Sequence, residues 1–238
     1  MARKRKYPLH INSAIEEQQT GYIPLDRIRI IEAALQLLNE IGLKELSMRK
    51  IADQLHVKTA SLYYHVKDKE QLMQLLTDKI SGELLWPETS LPWEEQVYQW
   101  ADQFRKVLLA HKDAVELFNQ TIAVGYERLT QIEKLYQLLV SAGFSDPQVP
   151  WIASMLKSYV LGFAAEEVRL NAIAGKEHSS YGELEDKYDS FYRKLPEERF
   201  PNVVRLASYT TKSSVDNEFK FGLDVLIDGF TAKLAREK

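Results

Sequence analysis

The chain has 238 residues, 45% hydrophobic and 27% charged, which is the composition of a soluble globular protein with room for one large domain or two small ones. It has no cysteine, so disulfides, thiolate metal sites and cysteine nucleophiles are excluded, and the absence suits a reducing cytoplasm. The net charge of −3 hides an asymmetry: residues 1–70 carry 12 Lys+Arg against 9 Asp+Glu, and the rest carries 19 against 25. A basic head on an acidic body fits a DNA-binding domain joined to one that does not bind DNA.

Residues 1–24 are an extension holding Arg3-Lys4-Arg5-Lys6. No apolar run follows these charges as a signal peptide requires, and no stretch nears the roughly 18 apolar residues of a membrane span. A soluble, cytoplasmic protein without a membrane partner is expected. The basic cluster reads equally as a flexible arm for the minor groove or phosphates and as a solubilising tail.

Residues 26–41 place Ile28, Ile31, Leu35 and Leu38 on one helical face, and Gly42 supplies the stop. A short helix starts at the N-cap Ser47 and buries Met48, Ile51, Ala52 and Leu55. After a break at His56-Val57, another short run keeps Ala60, Leu62 and Val66 for packing. Asp68 with Gln71 three residues on is a capping-box pattern. It opens a helix over 68–85, about 27 Å long, with Leu72, Leu76, Ile80 and Leu84 on its apolar face.

Pro87 and Pro92 then punctuate the chain. Amphipathic segments follow at 93–111, 113–123, 126–142 and 147–170. Gly143 ends the third, and Asp146-Pro147 is an N-cap and N1 pair for the fourth. Residues 171–214 are polar and turn-rich, with one short helix at 183–195. A last helix at 215–236 aligns Phe219, Leu223, Leu226, Phe230 and Leu234. No strand alternation or repeat is found. The predicted class is all-α: an N-terminal three-helix bundle over residues 25–70 and a larger helical domain over 71–238.

Leu46 to Lys69 carries the functional signal. One helix is apolar on one side, the connection is three or four residues, and the second helix offers Lys58, Thr59, Ser61, Tyr63, Tyr64 and His65 away from its packing face. Short polar and aromatic side chains suit a helix that enters the DNA major groove. An ordinary helical hairpin with a solvated face would show the same pattern.

Leu46-Ser47-Met48-Arg49-Lys50-Ile51-Ala52, followed by Ser61-Leu62-Tyr63-Tyr64-His65-Val66-Lys67-Asp68-Lys69, resembles the DNA-binding region of the tetracycline-repressor family. A fainter likeness continues to the end, where Phe219-Lys220-Phe221-Gly222-Leu223 resembles the family's last helix. The resemblance implies a helix-turn-helix regulator binding double-stranded operator DNA. Arg49 then occupies a base-contacting position, where its guanidinium can pair with a guanine edge. Lys58, Thr59, Ser61 and Tyr63 fall at positions touching bases or backbone, and Tyr64, His65 and Lys69 at positions used on phosphate. His56 departs from the family, which favours glycine at this turn because positive φ is needed there.

For residues beyond about 70 the resemblance implies an effector-binding and dimerisation domain. The apolar helices near 147–170 and 215–236 suit a four-helix dimer interface, with Gly162, Ala164, Ala165 and Gly222 allowing close approach. A homodimer would present two recognition helices to a near-palindromic operator. Tetracycline-binding members hold a magnesium–drug complex with a His and a Thr. This chain has Phe118 and Thr121 at those places, with Leu85 and Trp100 at two further drug-contacting positions. The exchange of imidazole and amide for aromatic surface argues against a metal-chelate ligand. Candidate pocket residues are Leu85, Trp100, Phe104, Phe118, Thr121, Tyr136, Trp151 and Tyr159, around an unidentified small apolar or aromatic effector. The same aromatic residues at helical spacing also read as core. Glu166-Glu167 reads as an exposed carboxylate pair, with a cationic ligand as the alternative.

The five histidines, His10, His56, His65, His111 and His178, are scattered, and neither HExxH, a glycine-rich phosphate loop nor GxSxG occurs. No enzyme, metal site or cofactor is expected. The expected function is a ligand-responsive regulator, by default a repressor. The rival is a helical ligand- or partner-binding protein whose helix-turn-helix no longer engages specific DNA.

Overall fold

Asp26 accepts a hydrogen bond from the Arg29 amide at 2.8 Å and starts the first helix, α1 (Arg27–Ile41). Gly42 ends it with φ +83°, a conformation that favours glycine, and donates its N–H to Leu38 O. In this computed structural model, which describes residues 25–176, 180–212 and 214–236, the core face of α1 is Ile30, Ala33, Ala34, Leu37 and Leu38. The expected face is therefore rotated: Ile28 is 66% exposed, while Ile31 and Leu35 only flank the core. Nine apolar residues crowd this helix, and the two alanines mark the side on which neighbours come close. The extension at 1–24, with its basic cluster, lies outside the described residues.

Three short elements complete the N-terminal bundle. These are α2 (Met48–Gln54), α3 (Thr59–Leu62) and α4 (Lys69–Ser81). Asp68 caps α4 by accepting from Gln71 N at 2.8 Å, and Gln71 Oε1 reaches back to Lys67 N at 2.7 Å. The reciprocal bond thus goes one residue earlier than in a standard capping box. Leu72, Leu76 and Ile80 are fully buried, each contributing roughly 1.5–3 kcal/mol. The helix stops at Ser81 rather than near residue 85: Glu83 and Leu84 donate to the carbonyls of Ile80 and Ser81, three residues back, so the chain tightens out of α geometry.

The body follows as α5 (Trp93–Ala110), α6 (Ala114–Gln120), α7 (Tyr126–Ala142) and α8 (Gln148–Lys176). Gly143, at φ +101°, ends α7 as expected. The start of α8 is set by Ser145, whose carbonyl accepts from Gln148 and Val149, so Asp146-Pro147 precedes the helix as a turn. The region expected to be turn-rich is more helical: α8 runs to Lys176, and α9 (Tyr181–Arg193), α10 (Pro201–Arg205) and α11 (Ala207–Thr211) follow. Ser180 and Glu183 form a full capping box at the head of α9. The chain closes with α12 (Val215–Arg236), which buries Phe219, Leu223, Ile227, Phe230 and Leu234.

Helix α5 packs on α8, α7 lies between α4 and α8, and α12 covers α8. One buried cluster runs from Ile30 to Leu234 without a break at α4, so α4 belongs to both the bundle and the body. Two features differ from the sequence reading. Glu166 and Glu167 part company: Glu166 pairs with Arg169 at the surface, while Glu167 accepts from Arg105 Nε at 2.9 Å. Arg105, only 7% exposed, also bonds Asp216 at 2.9 Å and lies over the Phe219 ring, tying α5, α8 and α12 together. Burial works to lower its pKa, but the bonds to Glu167 and Asp216 together hold it above the ordinary arginine value. Gly222 and Ala164 serve packing within the chain. A Cβ on Gly222 would collide with the Tyr159 hydroxyl, and Ala164 is fully buried. Gly162 and Ala165 are open to solvent. No helix among the described residues is long and apolar enough to cross a membrane.

Candidate DNA-binding surface and effector cavity

Helix α2 begins where Ser47 Oγ accepts from Lys50 N at 3.3 Å, and it buries Met48, Ile51 and Ala52. Its end closes in a Schellman turn, with His56 N–H donating to Asp53 O at 3.2 Å and Val57 N–H to Ala52 O at 3.0 Å. His56 takes the left-handed place at φ +54°, and Val57 packs its side chain on the core. The tight turn is therefore formed with histidine where glycine would be least strained.

Helix α3 is one turn, extended by bonds from Ser61 N to Lys58 O and from His65 and Val66 N to Leu62 O. Leu62 and Val66 are fully buried and pin it to the bundle. Ala60, expected to pack, faces solvent. Outward stand Lys58, Tyr63 and Tyr64, the last 89% exposed, with Thr59, Ser61 and His65 half-buried beside them. Lys69 is exposed at the first position of α4. Arg49 lies on the outer side of α2, 87% exposed, with Asp53 at 4.0 Å as its one ion-pair partner among the described residues. Such an exposed pair holds an arginine weakly. All eight residues named from the sequence thus lie on α2, on α3 and the turns that flank it, and at the head of α4, beside buried Ile51, Leu62 and Val66.

A cavity of about 410 Å³ opens between α4, α5, α6, α7 and α8, within the range of small-molecule sites. Trp100 and Phe104 from α5 and Phe118 from α6 form an aromatic wall, with ring centroids 5.6 and 5.5 Å apart along the row. Thr121 and Tyr136 also line it, so five of the eight expected pocket residues meet here. Leu85 and Trp151 do not; they are 70% and 65% exposed. Tyr159 stacks on Phe219 and donates to its carbonyl at 2.8 Å, away from the cavity. The neighbours of the missed positions line it instead: Leu84, and Pro150, Ala153 and Ser154 on α8.

Two cations not singled out from the sequence also line the cavity, Arg128 and Lys157. Arg128 donates to the Thr121 carbonyl at 3.2 Å and its hydroxyl at 2.8 Å, and lies over the Phe118 ring. Burial lowers its pKa, against the attraction of Asp78. Asp78 itself accepts from the Arg128 backbone amide at 2.9 Å. The Thr121 hydroxyl lies 3.1 Å from that of Thr77, a buried residue of α4. A second joint links bundle and body at the α5–α6 corner. There Asp113 accepts from Leu43 N at 2.7 Å, and His111 contacts Asn39 and Glu83. Among the described residues no group of three His, Cys, Asp or Glu side chains is placed to hold a metal ion.

Residues 30–76 match the family model for bacterial regulatory proteins of the tetR family, and residues 86–234 match the tetracyclin repressor-like C-terminal domain. An HTH-type transcriptional regulator of Saccharopolyspora erythraea is 34% identical over 153 residues, which are 63% of this chain and 65%, under two thirds, of that protein. The class E tetracycline repressor protein of Escherichia coli is 29% identical over 88% of this chain and 92% of its own length. Among solved structures, apo ActR from Streptomyces coelicolor is 30% identical with a TM-score of 0.81, covering 91% of this chain and 99% of that one. ActR in complex with actinorhodin gives 0.79 over 89% and 99%.

Proposed function

This chain belongs to the tetracycline-repressor family of transcriptional regulators, and we propose that it represses from a near-palindromic operator as a homodimer and is released by a small aromatic effector. The observation that carries the reading is the α2–α3 surface. Its backbone is fixed by buried Ile51, Leu62 and Val66, while Arg49, Lys58, Tyr63 and Tyr64 stand exposed. On DNA, Arg49 reads a guanine edge, and Lys58, Thr59, Ser61 and Tyr63 meet bases and backbone. Tyr64, His65 and Lys69 hold phosphates and set the register.

The dimer forms through the exposed line of Trp151, Met155, Gly162 and Ala165 on α8 and of Phe221 and Val225 on α12. Exposed apolar side chains at helical spacing on two adjoining helices support that interface. The effector occupies the cavity against Trp100, Phe104, Phe118, Thr121 and Tyr136. Among the described residues no carboxylate or imidazole lines it, which supports a ligand that does not arrive on a metal ion. Micromolar binding of magnesium–tetracycline would refute that part of the reading.

Cavity and DNA surface communicate through α4. An effector that draws on Arg128 disturbs Thr121 and, through Thr77, the helix that carries the recognition bundle. A coupling of about 1–3 kcal/mol, typical of such linkages, changes operator affinity roughly 5–150-fold.

The test is selection of genomic fragments retained by the protein, followed by hydroxyl-radical footprinting of the winners. The reading predicts two symmetric protected half-sites about one helical turn or a multiple apart. Retention of no fragment above a scrambled pool overturns it.

A further inference from the structure

The lining of the cavity is lopsided in charge. Arg128 and Lys157 are both cationic, and among the described residues no aspartate or glutamate lines the space with them. The Arg128 guanidinium has carbonyl and hydroxyl acceptors at Thr121 and Phe118 but no carboxylate in ion-pair contact among the described residues. Asp78, whose charge attracts it, accepts from the Arg128 backbone amide instead. A half-buried cation facing an apolar space without an ion-pair partner is under-compensated, and an incoming anion supplies what the chain withholds.

Two further observations point the same way. The Trp100 indole N–H is buried and has no acceptor among the described residues, although Trp100 forms part of the wall. An unpaired donor on a residue of the wall favours a ligand that carries acceptor oxygens. Arg128 also sits in the first turn of α7, where the helix dipole disfavours positive charge. Helix stability gives no reason for a cation there.

Resting on the reading of this cavity as the effector site, we propose that it takes an aromatic anion. The ligand is a flat apolar ring system that carries a carboxylate or another ionised oxygen. Its rings lie against Phe104 and Phe118, and its charge pairs with Arg128 and Lys157.

The test titrates anthracene carboxylate and its uncharged methyl ester into the full chain near neutral pH, following quenching of tryptophan emission. The carboxylate is expected to bind at least roughly ten-fold more tightly than the ester, as a charge-assisted contact requires. Arg128→Gln should remove most of that gap while ester binding persists, and Arg128→Lys should keep it. Equal affinity of acid and ester overturns the proposal but leaves the effector-cavity reading standing. A gap that survives both Arg128→Gln and Lys157→Gln also overturns it. If Arg128→Gln loses the ester as well, Lys157→Gln decides. Its exposed side chain leaves the fold intact, so a narrowed gap upholds the proposal and an unchanged one overturns it. Failure of both probes to bind removes the effector-cavity reading together with this one.

Discussion

The residues of the α2–α3 surface follow one another between Arg49 and Lys69, whereas the cavity draws its lining from five helices between Ser81 and Lys157. Both regions hold a few polar groups on a rigid apolar frame, but with opposite orientation. The bundle buries Leu62 and Val66 so that polar and aromatic side chains face outward. The body turns Trp100, Phe104 and Phe118 inward and leaves a space among them. A surface that meets a macromolecule can be built locally, because the partner supplies the other wall. A site that encloses a small molecule must be assembled from distant segments. The proposed regulator needs both, and α4 is the element they share.

The sharpest way to break the comparison is to damage one region and watch the other. Leu62→Ala removes a fully buried side chain under the recognition face and should cost about 2–5 kcal/mol, read by urea unfolding. It should abolish operator binding while the cavity still binds aromatic probes. Loss of both would show that bundle and body do not separate. In the body, Arg105→Met leaves Glu167 without its partner and should cost about 2–4 kcal/mol, below the range for a fully buried pair because Asp216 is exposed. Gly222→Ala presses a Cβ on Tyr159 and should destabilise by about 1–3 kcal/mol, detectable as a lowered Tm. The smallest effect has the opposite sign. His56→Gly relieves a left-handed residue in the turn after α2 and should stabilise by about 0.5–1 kcal/mol in calorimetry, with operator binding unchanged.

The same contrast explains what was legible in the sequence. The helix-turn-helix is local, so Ser47, Leu62, Val66 and Asp68 could be read from spacing and capping alone, whereas the positive φ at His56 was legible only through the family resemblance. Faces were harder to place than elements. In α1 the apolar residues are too dense for periodicity to select a side, and only the packing at Ala33 and Ala34 decides it. Leu85 entered the expected lining through the family resemblance, and the cavity takes its neighbour Leu84; among the aromatic candidates Trp151 faces outward, and Ala153 and Ser154 of the same helix line the space. Tyr159 was misplaced because Gly222, far along the chain, receives its hydroxyl end. The helices after residue 170 were underestimated because their sequences are polar, although Ser180 with Glu183 carries a capping-box signature. Arg128 left one trace in the sequence, a cation in a helix's first turn.

The most direct test of the account is fluorescence anisotropy on the selected operator and a scrambled duplex, from about 50 to about 200 mM salt, with Arg49→Ala in parallel. The account predicts tight, selective binding by the native chain that weakens steeply with salt. Arg49→Ala should lose about 1–3 kcal/mol of discrimination at its base pair while keeping salt-dependent affinity. Equal binding to both duplexes, or selectivity untouched by Arg49→Ala, would contradict the assignment of the α2–α3 surface as the reader of DNA sequence.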